Sequence, residues 1–483
     1  MERIKNFYLV YDFHIENDFL PNSLNLKKFD KVFDKMGSID GEVTEYYFRY
    51  LKQIPVINNN LNVNNFLLKR ITFSEYESIS KKEPESVFIY PIEPYANISH
   101  ILGGEHSLDK GNPFPEFMSK KSLDKLKIKD NQFYCIISFP TEGDASDYIF
   151  KEIYNICERY EIDPSKIILV SASYDIDELH DSFIGNNNIN LKSKIKTLYW
   201  SWSLREKAQE HYDINKDFGS RFNIDGTQSS VVLKNDLDSS RYRQSKFILF
   251  NRRMRAHRIV LLSLLGIDFI KNNKVSYDIT KGENDYHLHF FKGSNRITED
   301  YEDVAYNNFI KIQQERQISS IDFKNVHGTV GFGCEMKEPY LDSYIHIVTE
   351  TNFYEPGLYF SEKTWKPILN LQPFIQLNYP NSLKALREMG FKTFHPFIDE
   401  SYDGIVDNKE RMVAVFKEIE RINNLNVKEI HDWYFSIREI LIHNQEHALK
   451  HREKSEYQQE IEKKYIEGIK NYVIYNKKNK KLL

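Results

Sequence analysis

Hydrophobic residues in the first half of the chain form short runs separated by a helical pattern, which predicts alternating strands and helices. Apolar side chains between residues 149 and 160 recur at helical spacing, and Asp163 and Pro164 end that helix. The order strand, helix, strand predicts a parallel sheet with helical crossovers. The predicted strands of this half are Phe7–Phe13, Val87–Ile92, Phe133–Phe139 and Ile167–Val170.

A second series of the same kind begins at Phe247. One of its helices is predicted to end at Gly390. Asp407 with Glu410 predicts a capping box at the start of the next helix. The predicted strands are Phe247–Phe250, Val275–Tyr277, Tyr344–Thr349 and Pro373–Leu377. The predicted helices are Met254–Leu265, Glu362–Leu371 and Asn381–Met389.

The polar, mixed segment 213–243 lies between the two series and predicts a linker with room for a short hairpin. We therefore predict an N-terminal domain over 1–212, a C-terminal domain over 244–426, and helices with a basic tail over 427–483. In open parallel sheets of this kind, ligands bind at the carboxyl ends of the strands.

Composition narrows the class of protein. A chain of 483 residues fits two or three domains, and 14% aromatic residues argue against a disordered chain. The formal charge of −4 favours neither nucleic acid nor an anionic membrane as a partner. Cys135, Cys157 and Cys334 show no disulfide or zinc spacing, which indicates a reducing compartment. No signal peptide or run of about 20 apolar residues is found, so a cytoplasmic protein without a transmembrane segment is predicted.

The first segment with candidate chemistry joins a predicted strand, Phe247–Phe250, directly to a basic helix start. Arginine side chains are suited to phosphate oxygens, and a helix start adds backbone N–H groups and a favourable dipole. The segment therefore predicts a diphosphate site, with a solvated basic helix start as the equally weighted alternative. Its polar residues are Asn251, Arg252, Arg253, Arg255, His257 and Arg258.

The second segment begins at the end of the predicted strand Tyr344–Thr349. Ser361 is a good N-cap for the helix that follows. A carboxylate in the first turn of this helix, Glu362, could accept ribose or sugar hydroxyls, and Lys363 could neutralise a phosphate. Taken alone, the segment fits an ordinary capped helix with an exposed ion pair better.

A family resemblance adds to this second segment. The stretch YFSEKTWKPILNLQPFIQL resembles the donor-binding motif of the α1,3-fucosyltransferase family, and the preceding His346–Asn352 resembles that family's Phe-Glu-Asn element. The resemblance covers about residues 245–411. The pieces HRIVLLSLLG and DESYD also resemble a broader set of poorly characterised viral and bacterial glycosyltransferases.

The resemblance implies roles for particular residues. In the family, the residues matching Arg258 and Lys363 contact phosphate, and those matching Glu350 and Glu362 contact ribose or the donor sugar. Three further arginines exceed the number of basic residues that is usual in the family at this place. The resemblance therefore does not identify the donor sugar. The complete set predicted to bind the donor is Asn251, Arg252, Arg255, Arg258, Glu350, Asn352, Ser361, Glu362 and Lys363.

The fold implied is an α/β fold of GT-B type, with two Rossmann-like domains facing a cleft and C-terminal helices. The function implied is inverting transfer of a sugar from a nucleoside-diphosphate sugar to a hydroxyl acceptor, such as a glycan, bound by the N-terminal domain. No cofactor or metal is expected, because basic side chains would stabilise the leaving diphosphate.

Two alternatives stay open: a DNA-base glycosyltransferase, for which the arginine cluster could supply a basic groove, and a non-catalytic nucleotide-sugar-binding protein.

The catalytic base is expected in the N-terminal domain, because an inverting transferase needs one group to take the acceptor's proton. Glu142 and Glu93 each follow a predicted strand at its carboxyl end. Glu105 and His106 form a third option, and Glu142 is preferred.

Other acidic and histidine motifs compete for a functional role. Asp-x-Asp pairs can hold a metal and a donor diphosphate in another glycosyltransferase fold, but turn and cap roles are preferred here. His287 and His289 lack a third ligand, so a metal site is not expected. The acidic loop 399–403 could touch the donor sugar or cap the next helix. The Asp-x-Asp pairs are Asp175 with Asp177 and Asp236 with Asp238.

Overall fold

The computed structural model divides the chain into two compact units, Met1–Trp202 with Glu456–Leu483, and Ser203–Ser455. Each unit contains its own parallel sheet, which confirms the predicted α/β class. The structure describes residues 6–11, 62–63, 66–92, 113–128, 132–139, 146–187, 193–201, 203–216, 220–222, 228–251, 255–277, 296–314, 337–452 and 455–480.

Within the described residues, the first unit is built on a seven-stranded sheet with the order β2-β3-β1-β4-β5-β6-β7. All neighbouring strands run parallel except β2 and β3, which are antiparallel. The strands are β1 (Phe7–Tyr11), β2 (Asn62–Val63), β3 (Phe66–Thr72), β4 (Val87–Ile92), β5 (Phe133–Phe139), β6 (Ile167–Ser171) and β7 (Lys196–Tyr199).

Helices cover both faces of this sheet, so its strands are apolar on both sides. Phe88, Tyr90 and Ile92 of β4 face one core, while Val87 and Ile89 of the same strand face the other. This period-two division explains the continuous apolar runs in the sequence. The helices before the second unit are α1 (Phe73–Lys82), α2 (Lys120–Lys127), α3 (Asp147–Arg159) and α4 (Ile176–Asn186).

In the second unit, the described part of the chain forms a four-stranded parallel sheet with the order β11-β10-β12-β13. Its strands are β10 (Ser245–Asn251), β11 (Lys274–Tyr277), β12 (Ser343–Thr349) and β13 (Phe374–Leu377), and a separate hairpin pairs β8 (Ser220–Phe222) with β9 (Gln228–Ser230). Its helices are α5 (Ser203–Lys216), α6 (Ala256–Asn272), α7 (Glu299–Gln314), α8 (Glu338–Leu341), α9 (Glu362–Leu369), α10 (Ser382–Glu388), α11 (Asn408–Asn424), α12 (Val427–Ser436) and α13 (Arg438–Leu449).

The boundary between the units differs from the predicted one at residue 212. The helix α5 starts at Ser203 and packs on α9 and α13 of the second unit, so the division falls before it. The hairpin β8–β9 lies in the segment predicted as a linker, as part of the same unit.

The C-terminal helix α14 (Glu456–Lys480) returns to the first unit. Tyr465, Ile466, Ile469 and Val473 pack against the sheet face that the other helices of that unit leave for them. The predicted segment 427–483 is therefore divided between the units. None of the helices in the described ranges combines the length and the apolar character needed to cross a bilayer.

Two glycines with positive φ lie where the sequence pattern predicts helix ends. Gly266 interrupts α6 with φ +74°, so the helix predicted to end at Leu265 bends there and then continues to Asn272. Gly390 follows α10 with φ +93°, and a Cβ at this position would lie 2.9 Å from Nε2 of His447. Glycine is required at Gly390 both by its conformation and by this contact.

Candidate functional site

The strand order of the second unit places a topological switch point between β10 and β12. These strands are neighbours, but the chain leaves β10 towards β11 on one side and leaves β12 towards β13 on the other. Open parallel sheets bind ligands outside the carboxyl ends of the strands at such a point. Asn251 ends β10 and Thr349 ends β12, so the two segments predicted from the sequence meet here.

Asn251 places a buried amide at the switch point. Its side chain is inaccessible to solvent, and its Oδ1 accepts a hydrogen bond of 2.6 Å from Oγ1 of Thr349. Within the described residues, Nδ2 of Asn251 has no hydrogen-bond partner. A buried N–H donor is costly unless some group satisfies it, which makes this amide a candidate ligand contact.

The start of α6 follows the end of β10 and so lies at the same switch point. Arg255 is exposed at the N-cap position, and no side chain in the described part of the chain caps this helix. The first backbone N–H groups of a 17-residue helix are available to an anion unless a side chain caps them, and the helix dipole favours negative charge there.

His257 and Arg258 are buried, and their side chains form hydrogen bonds to the backbone at the end of β12. Nε2 of His257 lies 2.8 Å from the carbonyl oxygen of Glu350, which can only accept, so Nε2 carries the proton. Nη2 of Arg258 donates to the carbonyl oxygens of Thr349 at 3.0 Å and Glu350 at 3.3 Å. Arg258 therefore fixes the strand end, whereas the resemblance implied a direct phosphate contact.

The electrostatics around His257 show that basic residues from both segments converge. Burial lowers the pKa of His257 well below its ordinary value, and the positive charges of Arg258, Arg255 and Lys363 lower it further. Burial also lowers the pKa of Arg258 to about 10, with a contribution from Arg255. The three cations therefore make one positive region at the switch point.

Glu350 has a role that differs from the predicted contact with ribose or sugar. Its carboxylate is fully buried and accepts hydrogen bonds from five donors. A carboxylate offers about four lone-pair directions, so this one is saturated by the protein. It caps the start of α9 and joins that helix to the end of β12. The donors are the backbone N–H groups of Thr351, Ser361 and Thr364 and the hydroxyls of Ser361 and Thr364.

The first turn of α9 carries the predicted Ser-Glu-Lys group. Oγ of Ser361 accepts hydrogen bonds from the backbone N–H of Lys363 at 3.3 Å and from its Nζ at 3.0 Å. Nζ of Lys363 also lies 2.9 Å from Oε1 of Glu362. Burial raises the pKa of Glu362, but the neighbouring Lys363 and Lys366 more than offset it and lower the pKa to about 2.

Asn352 lies in the loop after β12, half-buried, with Nδ2 donating to the carbonyl oxygen of Gly357 at 3.3 Å. It stabilises the loop that leads to α9. Of the other predicted residues, Arg252, Glu93, Glu142 and His106 lie outside the described residues.

The strand order of the first unit bears on the candidate bases. Its sheet also has a switch point, between β1 and β4, because β3 lies beyond β1 while β5 lies beyond β4. Glu93 is the residue after β4 in the sequence, and Glu142 follows the neighbouring strand β5 by three positions.

The acidic motifs have structural roles. Asp175 accepts a hydrogen bond from Oγ of Ser173, and Asp177 accepts one from Oγ1 of Thr197. Asp236 and Asp238 accept bonds from backbone N–H groups of nearby turn residues. Among the described residues, no group of three or more His, Cys, Asp or Glu side chains is placed to hold a metal. His287 and His289 lie outside those residues.

The loop 399–403 is also occupied by internal contacts. Asp403 accepts hydrogen bonds from the backbone N–H groups of Leu383 and Lys384, so it caps α10. Asp399 accepts from the N–H of Ser401, and Glu400 accepts from the N–H of His395. Of the two predicted roles for this loop, the structure supports the capping role, but for the preceding helix α10. The following helix α11 is capped by Asp407.

Arg411 is a residue of this region that the sequence prediction missed. It is buried in α11, its guanidinium stacks on the ring of Phe353 at 4.5 Å, and Nη2 donates to the carbonyl oxygen of Phe353 at 3.0 Å. Its Nε donates to the carbonyl oxygen of Asn378 after β13. A signal was present, because Arg411 shares the spacing of the apolar residues Val415, Ile419 and Ile422.

Comparisons with known proteins do not assign a function to this chain. No protein-family model and no curated protein matches the chain. Solved structures that it resembles include the N-terminal domain of trehalose-6-phosphate phosphatase from Candida albicans, with 11% identity, a TM-score of 0.39, and coverage of 98% of this chain and 99% of that chain. Another is α,α-trehalose 6-phosphate synthase from Burkholderia multivorans, with 9% identity, a TM-score of 0.35, and coverage of 97% and 100%. Similarities this weak carry no argument about activity.

Proposed function

We propose that this chain is an inverting glycosyltransferase that binds a nucleoside-diphosphate sugar at the switch point of the second unit. The observation that carries the proposal is the start of α6, where no described side chain caps the helix and Arg255 is exposed. A diphosphate there would meet backbone N–H groups, and the buried amide of Asn251 lies at the end of the neighbouring strand β10.

The chemistry that follows from this arrangement is electrostatic. As the bond from the anomeric carbon to the diphosphate breaks, negative charge grows on the leaving group. Arg255 and Lys363 would stabilise that charge, and Arg258 adds to the potential from its buried position. Under this proposal the first unit supplies the hydroxyl acceptor site and the base that takes the acceptor's proton.

Removing either of the two accessible cations should weaken donor binding. We expect Arg255→Ala and Lys363→Ala each to lower affinity for GDP or UDP about tenfold or more, because hydrogen bonds to charged groups contribute about 1.5–3 kcal/mol. Calorimetric titration of the two nucleotides measures this. Arg438→Ala and Lys384→Ala are matched controls, since both side chains are exposed in the same unit. Unchanged affinity in both site variants would rule out the diphosphate site.

Transfer should proceed without a divalent metal. We expect turnover of the nucleotide sugar to survive EDTA, because the proposed site neutralises the diphosphate with side chains. Asp175→Asn should retain near-normal turnover, since an asparagine oxygen can still accept the 2.6 Å hydrogen bond from Ser173. Loss of turnover in EDTA that is restored by manganese would contradict this prediction.

A further inference from the structure

Arg411 of α11 uses every hydrogen-bond donor of its side chain on the second unit itself. A guanidinium carries five N–H donors, and in this buried side chain each of them meets an acceptor. No donor is therefore left for a bound ligand. The acceptors are the carbonyl oxygens of Phe353, Asn378, Ile405 and Val406 and Oδ1 of Asn408.

Two of these acceptors lie at the carboxyl edge of the sheet. Asn378 directly follows β13, and Phe353 lies in the loop after β12. This loop leads to α9, and Nδ2 of Asn378 donates to the carbonyl oxygen of Tyr359, two residues before the N-cap Ser361. Arg411 therefore joins the ends of two neighbouring strands and, through Asn378, the segment that leads into α9.

Phe353 connects Arg411 to the start of α6. The guanidinium carbon of Arg411 lies 4.5 Å from the centre of the Phe353 ring, and the ring centre of His257 lies 5.6 Å from it. His257 is the second residue of α6, and its Nε2 lies 2.8 Å from the carbonyl oxygen of Glu350. Two side-chain contacts therefore link Arg411 to the helix start where the diphosphate is proposed to bind.

We propose that Arg411 is a positioning residue of the nucleotide-sugar site, which holds the start of α6 and the loop before α9 in the arrangement that binds the diphosphate. The inference rests on the proposed function. The planar guanidinium fixes its acceptors in one geometry, whereas a lysine ammonium has three donors and no plane. Groups that bind a ligand are held less firmly when their supporting residues are lost, so the site loses affinity.

A second buried arginine of the same unit provides a matched control. Nη1 of Arg243 donates to the carbonyl oxygens of Tyr340 at 2.8 Å and Ser343 at 2.5 Å, and its guanidinium lies over the ring of Tyr434 at 4.0 Å. Ser343 begins β12, so Arg243 lies at the amino edge of the sheet, opposite to the proposed site. The two arginines are alike in burial and in the kind of partner, but they support different edges.

The test compares Arg411→Lys with Arg243→Lys. Thermal unfolding followed by circular dichroism defines a temperature at which both variants are folded, and calorimetry at that temperature measures affinity for pyrophosphate, GDP and UDP. We expect Arg411→Lys to lower all three affinities about tenfold, at the lower end of the range for losing a residue that orients ligand-binding groups. Arg243→Lys should lower the Tm but leave the affinities unchanged. A loss of stability alone does not weaken binding by a folded protein, because apparent affinity falls only with the fraction that is competent to bind.

Phe353→Leu tests the connection to α6 without altering the arginine. Leucine keeps an apolar side chain but removes the ring between Arg411 and His257, so affinity for pyrophosphate should fall about threefold or more. Phe269→Leu is its control, because Phe269 is a buried residue near the other end of α6, with its ring centre 5.4 Å from that of Phe247. If Arg411→Lys does not fold, the comparison of these two leucine variants decides in its place.

Unaltered affinities in Arg411→Lys, or an equal loss in Arg243→Lys, would overturn the inference and leave the proposed function standing. In the leucine pair, an unaltered affinity in Phe353→Leu or an equal loss in Phe269→Leu has the same meaning. A protein that binds none of the probes before substitution overturns the proposed function and this inference with it.

Discussion

Glu350→Ala should destabilise the second unit by about 3–5 kcal/mol, because it leaves buried donors without an acceptor. The carboxylate accepts from the backbone N–H groups of Ser361 and Thr364 and from both of their hydroxyls, at distances between 2.6 and 3.2 Å. Without it, the first turn of α9 loses its cap and its connection to β12. Chemical denaturation followed by circular dichroism measures the loss.

The design of this experiment separates a structural carboxylate from one that touches the donor. Glu355→Ala removes an exposed glutamate from the same loop and should leave the unfolding transition unchanged. If Glu350 acted only on a ligand, as the family resemblance implies, Glu350→Ala would lower nucleotide affinity while unfolding like the control. That result would contradict the capping role.

The parts of the fold that the sequence predicted are those with a local cause. The apolar runs became the strands β1, β4, β5, β6, β10 and β12, and the chain order of strands and helices predicted parallel sheets. The cap at Asp407 and the glycine at Gly390 were also predicted, because each depends on its nearest neighbours. The strand order, and with it the two switch points, depends on distant pairings that a local pattern does not contain.

For the site, too, the sequence predicted local features but not the contacts between distant segments. The two basic segments could be placed at strand ends from the sequence, and the structure brings them together around His257. Whether a polar residue there meets a ligand or the protein depends on which backbone groups lie within about 3 Å of it. Arg258 and Glu350 resemble ligand contacts in sequence, yet both bind the chain itself.

Buried charges also explain why the start of the second unit was misplaced. Helix α5 carries Arg205, Lys207 and His211 on its buried side, so it lacks the apolar stripe that marks a core helix. Its polar pattern therefore gave no sign that it packs on α9. Arg411 in α11 is also a buried charge, but its place in the apolar spacing of that helix was a signal that the sequence prediction missed.

Strand order changes the expectation for the catalytic base. Sequence reasoning prefers Glu142, because it is the first ionisable residue after β5. The switch point of the first unit, however, lies between β1 and β4, and Glu93 directly follows β4. Ligands in open parallel sheets bind at the switch point, so Glu93 becomes the stronger candidate of the two.

Glu93→Gln should keep donor affinity and lower turnover by about a hundredfold or more, the usual contribution of a positioned base. Release of nucleoside diphosphate from the nucleotide sugar, measured with acceptor present, gives the rate. Glu142→Gln and His106→Ala are the comparison variants and should retain more activity. A larger loss in Glu142→Gln would restore the preference from sequence and leave the two-unit mechanism standing. Near-normal turnover in all three variants would remove the support for a base in the first unit, and the protein would then fit the non-catalytic nucleotide-sugar-binding alternative better.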